Sequence, residues 1–167
     1  MKMKKMLVGL CAAGALFATV GEASAAGKTG FMAGVYDEMQ NPTPDYEVDG
    51  LALGLLWSEC AGLSGAQGSI GANFDTGSGV GLQYSIFGGN FCKKDFTGVQ
   101  WGHLGIDVCE GSFTGVQLSL VNLSHDFTGL QLGFFNMTDS MYGVQIGLVN
   151  VIKESPLWVF PFVNAYF

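Results

Sequence analysis

Apolar and polar positions alternate along this chain in short stretches that recur. Between Phe127 and Phe135, the residues Thr128, Leu130, Leu132 and Phe134 fall on one side of an extended chain. Phe127, Gly129, Gln131, Gly133 and Phe135 fall on the other. A period of two sustained over about ten residues predicts a strand. The same unit appears as Phe96-Thr97-Gly98-Val99-Gln100, Phe113-Thr114-Gly115-Val116-Gln117, Phe127-Thr128-Gly129-Leu130-Gln131 and Met141-Tyr142-Gly143-Val144-Gln145. Its glutamines step by 17, 14 and 14 residues, and Asn122, Asn136, Asn150 and Asn164 step by 14. Weaker copies precede it, with Gln67 and Gln83 in the glutamine slot and Ala52 before them. So regular a step predicts a repeat architecture. The copies, with a first strand near Phe31 to Tyr36, fill the chain from residue 26 to 167 as one domain.

Turn-forming residues separate the copies: Leu123-Ser124-His125-Asp126, Met137-Thr138-Asp139-Ser140 and Lys153-Glu154-Ser155-Pro156. Charge collects there and leaves the strand middles. One strand side is apolar (Val116, Leu118, Leu120) and the other is small, polar and uncharged. The longest loop, Asp37 to Asp49, carries five acids and two prolines, without the spacing and turning glycine of a calcium loop.

Two folds satisfy this pattern. The first is an all-β, antiparallel, up-and-down outer-membrane-type β-barrel of about 8–10 short strands. Its apolar side faces lipid, and Gln67, Gln83, Gln100, Gln117, Gln131 and Gln145 form a polar row along a narrow lumen. The aromatic stretch Leu157 to Phe167 resembles the terminal strand of such barrels, although Pro161 cannot donate to a ladder. The second is a β-solenoid with about 14 residues per coil, in which like stacks on like. The near identity of consecutive copies favours it, because neighbouring barrel strands run oppositely. On balance the barrel is the expectation here.

The cysteines separate the two. Cys92 and Cys109 each lie nine places after a glutamine. A solenoid stacks them on adjacent coils about 4.8 Å apart, within disulfide reach. A barrel puts them at opposite faces and leaves Cys60 and Cys92 as the pair on one rim.

The first 25 residues read as a secretory signal: basic Lys2, Lys4 and Lys5, an apolar run from Met6 to Val20, and Ala23-Ser24-Ala25 for cleavage. Cys11 follows Leu10, which does not suit a lipoprotein site. An exported compartment permits disulfides. The net charge of −7 disfavours nucleic acid, whose phosphates need Lys and Arg. No zinc spacing links the cysteines to His103 or His125, and no nucleophile, phosphate-loop or metalloprotease motif is present. The chain is expected to have no catalytic residues, metal or cofactor.

The Phe-Thr-Gly-Val-Gln … Gly-Leu-Val-Asn unit, clearest from Phe96 to Asn150, resembles a family of bacterial surface-repeat proteins found in spirochaetes and other double-membrane bacteria. Gly143-Val144-Gln145-Ile146-Gly147-Leu148-Val149-Asn150 is its cleanest copy, and Ser119 replaces the second glycine in another. The resemblance implies export to the outer membrane or cell surface, and no chemistry. The expected role is structural or that of a narrow pore, with outer-membrane lipid and the barrel-assembly machinery as partners. The other reading is a soluble exported solenoid that binds a surface ligand or acts in adhesion.

Overall fold

A computed structural model describes residues 25–36 and 39–167. The signal segment up to residue 24, and the acids Asp37 and Glu38, lie outside the described residues. The chain forms a β-solenoid of about seven turns. Its strands are β1 (Gly27–Gly34), β2 (Gln40–Asn41), β3 (Tyr46–Gly54), β4 (Trp57–Cys60), β5 (Gly62–Ser69), β6 (Ala72–Asp75), β7 (Gly79–Ser85), β8 (Gly89–Cys92), β9 (Phe96–Leu132), β10 (Phe135–Ile152) and β11 (Val159–Tyr166). Each turn has a longer strand and a shorter one, facing each other across a thin seam. β1, β3, β5, β7 and the start of β9 stack in parallel on one side, and β4, β6, β8 and a later part of β9 stack in parallel on the other. β9 and β10 run unbroken around the corners and pair in parallel. Among the described residues antiparallel pairing occurs only at the two ends, β1 with β2 and β10 with β11.

The barrel expectation is thereby overturned. Copies do not alternate in direction. Each lies in register on its like, Gln67 beside Gln83, Gln83 beside Gln100 and Gln131 beside Gln145. Each copy is a whole turn, bent at a corner into two strands, where a single membrane-length strand was expected. The glutamines therefore line no lumen, because the two sheets close directly on each other. The cysteine pairing of the barrel falls with it. Cys92 bonds to Cys109, whose Cα lies 4.7 Å away, and Cys60 is free and buried. Cys60 and Cys92 are separated by one rung, occupied by Asp75.

The seam holds stacked columns. Phe96, Phe113 and Phe127 lie nearly parallel, at centroid separations of 5.7 and 5.3 Å, and Met141 extends the column. The glycine two places before each glutamine makes this approach possible. Gly115, Gly129 and Gly143 all have φ between 133° and 155°, and a Cβ on any of them would overlap the carbonyl oxygen of the glycine one rung below. An L side chain is strained there and has no room. At the N-terminal end, Gln40 acts as a side-chain substitute for a strand. Its amide nitrogen donates to the Glu59 carbonyl, and its oxygen accepts from the Glu59 N–H at 3.0 Å.

Gly129→Ala, which adds one methyl group mid-stack, is expected to destabilise the domain by at least ~2 kcal/mol. The surface change Thr128→Ala should stay within about 0.5 kcal/mol. Urea denaturation of both variants against the parent checks this, and equal midpoints would contradict the stacking geometry.

Candidate functional site

Two hydrogen-bonded amide rows run the length of the seam in opposite senses. Each glutamine donates through Nε2 to Oε1 of the one below: Gln83 to Gln67, Gln100 to Gln83, Gln117 to Gln100, Gln131 to Gln117 and Gln145 to Gln131, all at 2.8 Å. Gln67 ends the row on the Ser58 carbonyl at 2.9 Å. The facing row donates the other way: Asn73 to Asn90, Asn122 to Asn136 and Asn136 to Asn150, at 2.7 to 2.8 Å. All of these side chains are fully or almost fully buried. A primary amide has matched donors and acceptors, so an identical neighbour one rung away satisfies both. Left unpaired in the seam, each group would cost about 1–3 kcal/mol. The six glutamines expected along a lumen sit together instead as a buried structural spine.

Sequence reasoning missed the member that breaks the other row. Asp107 occupies the asparagine position between Asn90 and Asn122, fully buried. It accepts from Asn90 Nδ2 at 2.8 Å and from the Gly102 N–H at 3.3 Å. Every other link in the row donates onward, and a carboxylate cannot. Asn122 Oδ1, the next acceptor, is buried without a partner. Burial pushes the Asp107 carboxyl up to about 7, against the pull of its Asn90 and backbone donors. No charged side chain contributes to that shift. A protonated Asp107 has the hydroxyl that the row needs at this rung. Burial likewise pushes Asp75, between Cys60 and Cys92, up to about 7. The Cys60 thiol is pushed up by the same desolvation and by the charge of Asp75. The signal for Asp107 was available: it stands seven places after Gln100, as Asn90 stands seven after Gln83.

His125 Nδ1 lies 2.8 Å from Asp139 Oδ2, and Asp139 also pairs with Lys153. The acid beside His125 is therefore one turn away in space, not Asp126, which accepts from Ser140. His103 lies beside Trp101 at the lip of a shallow, open groove floored by Leu118, Leu132 and Ile146. Among the described residues no cluster of three or more His, Cys, Asp or Glu forms a metal site.

The outer surface is divided lengthwise. One corner carries Leu55, Ile70, Phe87, Leu104, Leu120, Phe134 and Leu148, one from each successive turn, and five of them are more than half exposed. Backbone bonds between turns hold this ridge, among them Ile70 N to Leu55 O, Phe87 N to Ile70 O and Phe134 N to Leu120 O. The adjoining sheet face continues it with Leu53, Leu82, Trp101 and Ile146. The opposite corner carries the polar and charged residues Lys94, Asp95, Ser112, His125, Asp126, Asp139, Lys153 and Glu154.

The raised carboxyls fix the sign of a pH effect. The Asp107 carboxyl titrates at the ordinary 3.8 when unfolded and at about 7 when folded, so the folded protein holds the proton more tightly. Its contribution is full below pH ~4, declines as pH rises through ~4 to 7, and is gone above, by an amount on the order of 4 kcal/mol at most. Asp107→Asn, which supplies a permanent donor toward Asn122, should match the parent at pH 4 and melt at a clearly higher temperature at pH 8. Thermal melts at both values test this, and parallel pH profiles would refute it.

Neither a protein-family model, nor a curated protein, nor a solved structure matches the chain.

Proposed function

We propose that this chain is an exported surface-binding module, held at a lipid surface by its apolar ridge, with no reaction assigned to it. The observation that carries this reading is the lengthwise split of the exterior. A soluble solenoid with no apolar ligand has no need of an exposed apolar residue at the same corner of seven successive turns. The ridge extends about 29 Å, taking six steps of roughly 4.8 Å. Contiguous exposed apolar surface of this kind marks a protein or membrane contact. A stacked β-ridge enters the headgroup boundary by the same physics as an interfacial helix, apolar face inward and charged face in water.

The absence of charge on the ridge and the net charge of −7 favour neutral lipid over an anionic leaflet. The basic and apolar first residues, with their small-residue cleavage site, support export. The likeness of the unit to bacterial surface-repeat proteins supports a place at the cell envelope. The rigid seam suits such a role, since it keeps the ridge straight without any partner.

Protein purified after export should float with neutral phosphatidylcholine vesicles in a density gradient. Phe87→Glu with Phe134→Glu should lower the vesicle-bound fraction about tenfold or more, as a penalty of at least ~1.4 kcal/mol requires. Ser112→Glu, on the charged corner, should bind as the parent does. A parent protein that stays at the bottom of the gradient, or equal flotation of all three, would remove lipid as the ligand.

A further inference from the structure

The two ends of the stack are unlike. At the N-terminal end the backbone is covered in part: β2 pairs with Ala33 and Gly34 of β1, and the Gln40 amide closes the edge of β4. Among the described residues acids crowd there, with Asp45, Glu47 and Asp49 against one cation, Lys28, which pairs with Glu47 at 2.8 Å. At the other end, among the described residues, β11 pairs with β10 alone, so its far edge of N–H and C=O groups has no described strand beside it. Among the described residues no shorter strand faces β11 across the seam. Asn164 lies opposite Gln145 on the inner side and is nearly buried, yet Phe162 and Tyr166, in the same phase, are 69% and 38% exposed. In the turn below, Gly143 and Gln145, which pair with Tyr166 and Asn164, are buried. Gln145 Oε1, the last acceptor of the glutamine row, is also left buried without a partner. No charged residue occurs from Ser155 to Phe167.

We propose that this end is a tail-to-tail interface between two copies of the chain, in which β11 pairs antiparallel with its equivalent. Four features select a second copy. An exposed, uncharged edge strand is a template for strand addition, and on β11 only the break at Pro161, between Phe160 and Phe162, interrupts it. Antiparallel pairing of one strand with itself is two-fold and closes, so it yields a dimer and no filament. The acidic opposite end repels its own kind, which leaves only the uncharged end free to meet a copy. Finally, solenoid ends need a cap, and the partner's Phe160, Phe162 and Tyr166 supply apolar cover of matching chemistry. The argument is independent of the lateral ridge and its lipid.

The test uses protein purified after export. Light scattering coupled to size exclusion should give twice the chain mass at micromolar concentration. Val163→Lys and Phe160→Lys, each on an exposed β11 position, should weaken the dimer a hundredfold or more while keeping the Cys92–Cys109 bond and the strand circular dichroism. Should Phe160→Lys fail to fold, Val163→Lys carries the comparison alone. Spin labels report the geometry in a Cys60→Ser background. Lys153→Cys should give a label pair closer than about 40 Å, and Lys28→Cys a pair on the order of 80 Å apart, eight rungs of roughly 4.8 Å on each side. A monomeric parent, a dimer indifferent to folded Val163→Lys, or the shorter distance at position 28 would each overturn the proposal. A dimer through the ridge falls in the last two classes.

Discussion

The fold depends on one constraint: an amide buried in a dry seam must meet another amide at hydrogen-bonding distance. A carboxamide one rung above an identical one does so with both its donor and its acceptor, which neither water nor an apolar neighbour can do here. That pairing demands parallel strands, in register, at the rung spacing. A shift of one residue would turn the whole glutamine row to the outside and bring leucines and valines into the seam. The row therefore sets direction and register together. The glycine column answers to the same spacing, because the backbones can come this close only where no Cβ stands between them.

The opposed sense of the two rows follows from this. Glutamines donate toward the N-terminal end and asparagines toward the C-terminal end. Their unsatisfied atoms accordingly collect where the rows end: Asn73 Oδ1 at the start of one and Gln145 Oε1 at the finish of the other. The remaining orphan in the rows, Asn122 Oδ1, is in the middle, directly after Asp107. A single residue thus accounts for the internal break. The same interior that stabilises neutral amides penalises a carboxylate, so the break and the raised carboxyl have one origin: desolvation.

Much of this was legible in the sequence, and the part that was not has a physical reason. The 14-residue step, the strand periodicity and the glutamine slots were all plain. So was the shared phase of Cys92 and Cys109, which the bond between them now explains. The direction of the strands was misread because period-two alternation is the same in a barrel and a solenoid. Alternation says which residues share a side, and says nothing about whether the next strand runs back or around. What did carry that information was the near identity of successive copies, since only like stacked on like uses it. The uncharged polar side was given to a lumen, although glutamine at a single fixed slot is better suited to pairing with itself than to lining water. The apolar corner was hidden for another reason. Leu120 and Phe134 were counted in strands, and the bend that turns them outward arises from backbone pairing between turns. The His125–Asp139 pair was hidden likewise, as it joins residues 14 apart that only stacking brings together.

The exceptions to the repeat are as informative as the repeat. In the unit around Gln117 the second glycine is replaced by Ser119, and this is where the turn length changes. From Gln100 to Asp107 the corner spans seven residues, and from Gln117 to Asn122 it spans five. A shorter corner laid on a longer one leaves backbone groups without a rung partner. Ser119 Oγ takes them up, accepting from the N–H of Asp107 and of Val121 at 3.2 Å and lying 2.9 Å from the Gly105 carbonyl. In the later turns, where successive corners have equal length, the position reverts to Gly133 and Gly147, each stacked without need of a hydroxyl. A serine that looked like drift in a degenerate repeat is thus the joint between two coil sizes. The disulfide belongs to the same region. It ties Cys92 to Cys109 across the last pair of long turns, just before the joint. Covalent and hydrogen-bonded reinforcement therefore meet where the stack is least periodic, and the strictly repeating turns beyond contain no cysteine.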